Sequence, residues 1–346
     1  MRKFDYSFLK GLVPSKLLNL ISSIYDIKGR KEDRIGENPK LFETFKVKAF
    51  SNSIKYSNQI DSIYIDDKRL NDLLDSKSLP KTNEEKMIVG YKNVLTQIYG
   101  RGKDIIFDET TILSMHRQLF NISNLPSRGR YKKEPNILSE LVDGKRLVKF
   151  VPLLPSETSE AINQLVLAYY DAKRDPDIHP LLLISCVIAD FLYIHPFETG
   201  NGRMARLLAA LLLGKYDIDV GMYISLDEMI YLNREEYSKA LQDSSIGWKD
   251  NKNDYFPFIS FMIQTIYSCY AELDDKVYKL IGTKMNKSER IEYYLLNAFV
   301  PVSKAEIAKN LPDISVKMIE TVLAKLIKER KIVKMGSYRN AVYYRL

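Results

Sequence analysis

Apolar residues recur every three or four positions along most of this 346-residue chain. In residues 81–99, for example, Met87, Val94 and Ile98 fall on one side of a helix. This spacing is typical of amphipathic helices that turn one face towards a core. Asp108 precedes another such run and is expected to cap a helix. The pattern predicts a mainly α protein, with helices over residues 15–35, 39–56, 81–99, 156–173, 180–194, 201–214, 227–243 and 255–281.

The helical spacing is lost between residues 128 and 151, where glycine and proline interrupt the pattern. Asp143-Gly144 separates two short apolar runs in this segment. An Asp-Gly pair in that position favours a two-residue turn, because both residues adopt positive φ with little strain. The sequence therefore predicts a β-hairpin inserted between helices.

The last sixty or so residues, 284–346, are predicted to form a small domain of their own. The expected elements are a helix at 291–296, a second helix from Ser303, a third helix capped by Asp313 or Ser315, and strands at 332–333 and 342–344. Three helices followed by a strand pair are typical of a winged helix-turn-helix domain.

This C-terminal segment also carries most of the net charge. It has 13 Lys and Arg residues against six Asp and Glu, a net +7 of the chain's +8. Lys317 and Lys325 on the third helix, with Arg339 at the strand turn, would suit contact with DNA phosphates. Glu320 and Glu329 are interleaved with them, which suits a domain that docks a protein or forms a homodimer. Both interpretations remain open.

Composition excludes several other classes of protein. Cys186 and Cys269 both sit in apolar helical patterns, so a disulfide framework is not expected. The three histidines, His116, His179 and His195, have no ligand-like spacing with either cysteine, which argues against a zinc site. No apolar run is long enough for a membrane span. A cytoplasmic protein without a membrane partner is expected.

One segment concentrates residues suited to chemistry, His195-Pro196-Phe197-Glu198-Thr199-Gly200-Asn201-Gly202-Arg203-Met204-Ala205-Arg206. Pro196 prevents a helix from continuing through His195, and the two glycines open the next helix. Backbone N–H groups at a helix start converge on an anion with the help of the helix dipole. Arg203 and Arg206 lie three residues apart and can clamp phosphate oxygens. His195, with an ordinary histidine pKa, can take a proton from a hydroxyl. The combination predicts phosphoryl or nucleotidyl transfer.

This segment resembles the signature of the Fic family, His-Pro-Phe-x-Asp/Glu-Gly-Asn-Gly-Arg-x-x-Arg, at all defined positions except one. The likeness extends roughly over residues 40–271 and includes His179-Pro180-Leu181 at the start of the preceding helix. It implies a Fic-type helical core at 105–281, in which the hairpin at 128–151 is the flap that docks the substrate protein. Some proteins of the family carry a winged helix at the C-terminal end.

The resemblance also implies a reaction. His195 would deprotonate the hydroxyl of a target Ser, Thr or Tyr, which attacks the α-phosphate of ATP while pyrophosphate leaves. Phe197 would anchor the loop in the core. The implied phosphate-binding residues are Gly200, Asn201 and Gly202 in an anion hole, Arg203 on the phosphates and Arg206 at the γ-phosphate end.

Thr199 is the exception to the signature. The family has an acidic residue there, which holds Mg²⁺. A threonine hydroxyl can contact magnesium but brings no charge. The resemblance therefore implies ATP as substrate and Mg²⁺ as cofactor, with weakened binding of the metal through Thr199.

Many Fic proteins carry an inhibitory helix with the pattern Ser/Thr-x-x-x-Glu-Gly/Asn. Residues 57–62, Ser57-Asn58-Gln59-Ile60-Asp61-Ser62, are similar to this pattern. By analogy Ser57 and Asp61 would be inhibitory residues, and Asp61 would pair with Arg206 where the γ-phosphate binds. A carboxylate opposite an arginine makes a charge-assisted contact. Asp61 is one methylene shorter than glutamate, and Ser62 replaces Gly or Asn.

The functional prediction follows from these points. The chain is expected to be an autoinhibited protein adenylyltransferase that modifies a protein hydroxyl and can modify itself. The inhibitory segment would lie in an N-terminal helical region, residues 1–104. Two alternatives stay open: a weakened nucleotide-binding regulator that acts through the C-terminal domain, and an enzyme that uses another donor, such as UTP or a phosphocholine nucleotide.

Overall fold

Helices make up most of the computed structural model, which describes residues 2–142, 145–281, 286–296, 298, 301–336 and 341–345. The prediction of a mainly α fold is confirmed. The helices are α1 (Ser15–Glu37), α2 (Pro39–Ile60), α3 (Asp67–Leu74), α4 (Asn83–Arg101), α5 (Glu109–Leu119), α6 (Pro155–Lys173), α7 (Pro180–Ile194), α8 (Asn201–Gly214), α9 (Leu226–Leu232), α10 (Arg234–Asp243), α11 (Phe256–Ile281), α12 (Lys287–Leu296), α13 (Lys304–Asn310) and α14 (Val316–Lys328). Short 3₁₀ helices lie at Ser7–Lys10, Val220–Met222 and Trp248–Asp250.

The strands form two antiparallel sheets. Strands β1 (Leu138–Val142) and β2 (Lys145–Phe150) pair as a hairpin, with Val142 opposite Lys145. Both strands of the predicted hairpin are therefore present, whereas the predicted Asp143-Gly144 turn lies outside the described residues. The second sheet has the order β3-β5-β4 and consists of β3 (Val302–Ser303), β4 (Ile332–Met335) and β5 (Val342–Arg345).

Most helices lie where the sequence predicts them, and α7 and α8 begin and end at the predicted residues. The prediction of one helix over residues 227–243 is wrong, because Asn233 separates α9 from α10. Its side-chain Nδ2 donates to the Met229 carbonyl at 2.8 Å, and its ψ is 37°. A local side-chain bond of this kind competes with the helical backbone.

Two compact units divide the chain, Met1–Asp26 with Ala49–Cys269 and Ile27–Lys48 with Tyr270–Leu346. In the first unit, α7 packs against α6 and α8. Its residues are apolar on nearly every side, and all of them from Leu181 to Ile194 are buried. Such a helix must be surrounded by other elements. The predicted division into residues 1–104, 105–281 and 284–346 stays a prediction.

Asp190 is the charged exception on α7, and its carboxylate is fully buried. It accepts hydrogen bonds from Tyr6 Oη at 2.7 Å, Trp248 Nε1 at 2.6 Å and Tyr255 Oη at 2.6 Å. Burial raises the pKa of Asp190, while the nearby Arg2 guanidinium opposes that rise. The network satisfies the carboxylate and ties α7 to two distant parts of the chain, the N-terminal residues and the segment that precedes α11.

In the second unit, α12, α13 and α14 share an apolar core with the β3-β5-β4 sheet. Its buried residues are Ile291, Leu295, Val302, Ile307, Leu311, Ile314, Ile319, Val322, Leu323, Leu326, Ile332, Ala341 and Tyr343. Ser303 caps α13 and Ser315 caps α14, whereas Asp313 pairs with Arg290. The order of elements matches the predicted one, with β3 in addition. The winged helix-turn-helix assignment stays a prediction.

Lys317 and Lys325 are exposed on α14, and Lys325 Nζ lies 3.7 Å from a carboxylate oxygen of Glu329. Arg339, predicted at the strand turn, lies outside the described residues. DNA and protein therefore both remain predicted partners of this face.

None of the described helices combines the length and apolar character that crossing a bilayer requires.

Candidate active site

The loop between α7 and α8 begins with a left-handed residue. His195 has φ 51° and ψ 62°, a conformation that residues other than glycine seldom adopt. Pro196 follows and supplies no N–H, so α7 cannot continue. Gly200, with φ 79°, precedes α8, and a Cβ there would lie 2.7 Å from the Phe120 ring. The path of the loop therefore depends on proline and glycine at these positions.

Phe197 anchors the middle of the loop and is fully buried. Its N–H donates to Asn201 Oδ1 at 2.9 Å, and its carbonyl accepts from Asn201 Nδ2 at 2.8 Å. The carbonyl also accepts from Asn136 Nδ2 at 2.9 Å. The Asn201 side chain is thus committed to holding Phe197. Asn201 can contribute to an anion hole only through its backbone N–H.

His116 on α5 contacts the same loop at Phe197 and Thr199. Its ring stacks on Phe197 with centroids 3.7 Å apart and an interplanar angle of 1°. Its Nδ1 accepts from the Gly129 N–H at 2.9 Å, so its Nε2–H donates to the Thr199 carbonyl at 3.2 Å. Burial lowers the pKa of His116 to about 4. The ring is therefore neutral at pH 7, and these bonds define its tautomer.

The imidazole of His195 is arranged as a proton acceptor. Its Nδ1–H donates to the Leu192 carbonyl at 3.3 Å, which leaves the lone pair on Nε2. Burial lowers the pKa of His195 to about 4, with Lys132 acting in the same direction and the Leu192 carbonyl and Asp61 opposing it. The ring is therefore unprotonated at neutral pH and can accept a proton from a hydroxyl.

Arg206, on α8, binds the last turn of α2. Its Nε donates to Ser57 Oγ and its Nη2 donates to the Ser57 carbonyl, both at 2.7 Å. Nη2 also contacts Asp61 Oδ1 at 3.1 Å. The structure therefore brings together the three residues that the sequence assigned to an inhibitory contact.

Arg203 shares the Asp61 carboxylate, which the sequence did not predict. Its Nε donates to Asp61 Oδ2 at 3.0 Å, while its Nη1 is buried without a hydrogen-bond partner among the described residues. Both arginine side chains are less than 5% exposed, against 25% for that of Asp61. Gly202 permits this approach, since a Cβ there would lie 3.1 Å from Asp61 Oδ1. One carboxylate thus contacts both arginines that are predicted to bind phosphate.

Asp227 is a second acid beside this cluster. Its Oδ1 lies 3.5 Å from Arg206 Nε and accepts from Tyr91 Oη at 3.2 Å. Burial raises the pKa of Asp227, and the Arg206 guanidinium opposes that rise. The sequence predicted only that a helix begins at Asp227, and Asp227 does lie in the first turn of α9. No pattern in the sequence predicts its contact with Arg206.

Residues 106–213 match the sequence model of the Fic/DOC family. The chain carries a Fic/DOC family domain. His195, His116 and both arginines lie within the matched residues, whereas Ser57 and Asp61 precede them.

The Fic domain has relatives in eukaryotes and bacteria. A protein adenylyltransferase Fic from Nematostella vectensis is 27% identical over 176 residues, which cover 49% of this chain and 34% of that protein. A Fido domain-containing protein from Dictyostelium discoideum is 29% identical over 116 residues, or 34% of this chain and 71% of its own length. The crystal structure of a Fic family protein from Desulfovibrio desulfuricans G20 has the same fold, with a TM-score of 0.61, 18% identity and 97% coverage of both chains. The chain spans about a third of the Nematostella protein.

The loop of the Fic domain does not by itself provide a magnesium site. Thr199 and Glu198 are both exposed, and the Thr199 carbonyl is already bonded to His116. Within the described ranges, no three His, Cys, Asp or Glu side chains are grouped so that they could hold a metal ion. Magnesium prefers an octahedral shell of oxygens that includes one or two carboxylates. The residues present therefore do not fit a resident ion.

Proposed function

We propose that this protein is an adenylyltransferase that transfers AMP from ATP to a hydroxyl side chain of a target protein. The main support is one arrangement: the unprotonated His195 and the N-terminus of α8 share a loop, and α8 carries two buried guanidinium groups. The name of the Nematostella relative, a protein adenylyltransferase, supports the same reaction.

In the proposed reaction, His195 Nε2 accepts the proton as the target oxygen forms a bond to the α-phosphorus. The bond between the α-phosphorus and the bridging oxygen to the β-phosphate breaks, and pyrophosphate leaves. The N–H groups at the start of α8, together with Arg203 and Arg206, stabilise the negative charge on the phosphate oxygens. That charge also raises the pKa of the imidazole and makes it a stronger base.

Asp61 is the proposed inhibitor of this reaction. Its two carboxylate oxygens contact the two guanidinium groups that the nucleotide phosphates need. Carboxylate and phosphate are alternative anions for the same donors, so they compete. The wild-type protein is therefore proposed to rest in an inhibited state. Once Asp61 is displaced, the enzyme would modify the target protein or itself.

The test is the intact mass of the Asp61→Gly variant after incubation with ATP and magnesium. We expect a gain that corresponds to AMP on the protein or on an added acceptor. Separate incubations with UTP and with a phosphocholine nucleotide identify the donor by the mass that is added. A variant that binds ATP but gains no mass from any donor would overturn the proposal. The protein would then be a nucleotide-binding regulator, an alternative that the neutral side chain of Thr199 supports.

Ser62→Gly is expected to strengthen the inhibition. Ser62 follows α2 with φ 60°, and a left-handed non-glycine residue costs about 1 kcal/mol. Glycine removes that strain and stabilises the helix end that carries Asp61. The affinity for ATP should fall about threefold, as measured by calorimetry.

Ser76→Gly is the matched control, because Ser76 is also exposed and left-handed, with φ 57°, but follows α3. Both variants should melt at a slightly higher temperature than wild type. Equal ATP affinities in the two variants would show that the end of α2 does not control the site.

A further inference from the structure

The C-terminal end of α7 lacks one of its usual hydrogen-bond donors. In many helices a left-handed residue is followed by an N–H that bonds back to a carbonyl of the last turn. Here the residue after His195 is Pro196, which has no N–H. The His195 N–H still reaches the Phe191 carbonyl at 3.0 Å. The Ile194 carbonyl is one of the last four of the helix, which have no intrahelical N–H partner, so it needs a donor from elsewhere in the protein.

Lys132 provides that donor. Its Nζ donates to the Ile194 carbonyl at 3.0 Å, and its backbone N–H donates to the Pro196 carbonyl at 2.9 Å. One residue thus binds the carbonyls on both sides of His195. Lys132 is only 3% exposed, which is unusual for lysine.

We propose that Lys132 is a positioning residue for His195, which holds the left-handed backbone of that residue and so directs its imidazole towards the reacting hydroxyl. The inference rests on the proposed role of His195 as base. Lys132 belongs to the segment 129–136, which leads into β1, binds the loop through Asn136 and contacts His116 through the Gly129 N–H. The ammonium group adds a charge to these contacts.

The position favours a cation over a neutral donor. The carbonyls at a helix C-terminus carry partial negative charge, which stabilises an ammonium group. Burial, with a smaller effect of Lys249, lowers the pKa of Lys132 to about 8, so it remains mostly charged at pH 7. Among the described residues, the charged groups that shift the pKa of His195 are Lys132, which lowers it, and Asp61 at the end of α2, which raises it.

The experiment compares Lys132→Met with Lys132→Arg in the Asp61→Gly background. Methionine keeps the length of the side chain without a donor or charge, whereas arginine keeps both. We expect Lys132→Met to lower kcat about tenfold or more with little change in KM for ATP, because a misplaced base slows chemistry but not binding. Arginine should restore most of the rate. NMR titration of the three histidines should show the pKa of His195 raised by about one unit in Lys132→Met.

Lys92→Met is the matched control. Lys92 Nζ donates to the Leu73 and Leu74 carbonyls at the end of α3, at 3.2 and 2.6 Å. This variant loses the same kind of contact away from His195, so kcat and the His195 titration should not change.

An unchanged kcat and an unchanged His195 titration in Lys132→Met would overturn the proposal, even if its melting temperature fell. Should Lys132→Met not fold, Lys132→Leu also lacks the donor and the charge and is read in the same way. If the Asp61→Gly parent transfers nothing, the proposed reaction fails, while the NMR titration of His195 still decides whether Lys132 acts on it.

Discussion

Replacing Asp61 by glycine is expected to raise the affinity for ATP about 100-fold. In the wild-type protein, ATP must displace two charge-assisted contacts, from Arg203 Nε at 3.0 Å and from Arg206 Nη2 at 3.1 Å. Such contacts contribute about 1.5 to 3 kcal/mol each. Without the carboxylate, ATP no longer has to break these contacts. A gain of about 2.8 kcal/mol in the binding free energy of ATP corresponds to a factor of 100 in the dissociation constant.

The same substitution is expected to lower the stability of the protein without nucleotide. Two guanidinium groups stay buried after Asp61 is lost. Among the described residues, Asp227 is then the acid that remains beside Arg206, which also keeps its contacts with Ser57. Breaking a fully buried pair costs about 3 to 5 kcal/mol. Because the Asp61 side chain is 25% exposed, a loss of about 1 to 3 kcal/mol is the reasonable expectation here. ATP should restore the melting temperature of the variant and raise that of wild type much less.

Calorimetry with and without ATP measures both effects. Asp67→Ala is the control, since Asp67 forms an exposed ion pair with Lys55 on the surface of α2. Asp67→Ala should leave the affinity for ATP unchanged. It should change the free energy of unfolding by no more than about 1 kcal/mol. An Asp61→Gly protein with wild-type affinity for ATP would show that Asp61 does not compete with phosphate.

Local sequence was sufficient to predict the helices on either side of the loop. α7 is apolar on all sides and closed by Pro196, and α8 opens after glycine, so both ends are determined by adjacent residues. The contact between Asp61 and Arg206 came instead from a resemblance that joins two segments more than 140 residues apart. Periodicity alone would have assigned Asp61 to a helix end at the surface.

The contacts that support the loop could not be predicted in this way. Lys132 stands in the basic run Arg130-Tyr131-Lys132-Lys133, which suggests a solvated surface. Its burial depends on the carbonyls at the end of α7, and their lack of a donor becomes evident only once the chain is folded. The stacking of His116 on Phe197 likewise depends on the packing of α5 against a distant loop. Tertiary contacts of this kind leave no periodic signal.

His195→Ala, made in the Asp61→Gly background, is expected to lower the rate of transfer by a factor of about 10² to 10⁴. The substitution removes the proton acceptor, whereas both guanidinium groups and the N–H groups at the start of α8 remain. ATP should therefore bind within about threefold of the parent affinity, since binding and proton transfer use different groups. Single-turnover kinetics with labelled ATP separates the two effects.

The parent enzyme should show a matching pH dependence in the free state. Burial lowers the pKa of His195 to about 4 in the wild-type protein, and the parent lacks the Asp61 carboxylate, which raises that pKa, so it is lower still there. The ring of the parent is therefore unprotonated above about pH 4. The rate constant kcat/KM should fall as the pH drops through this range and the imidazole gains a proton. The His195→Ala variant should lose that step in its profile.

His179→Ala is the control for the loss of a histidine. His179 caps the N-terminus of α7 through Nδ1, which accepts from the Leu181 N–H at 3.2 Å. Its removal should cost about 1 kcal/mol of stability but leave the rate of transfer close to that of the parent. If His195→Ala also stayed within tenfold of the parent rate, another group would have to accept the proton. His195 would then take no part in the proton transfer, and the guanidinium and N–H groups of α8 would serve the reaction together with that other group.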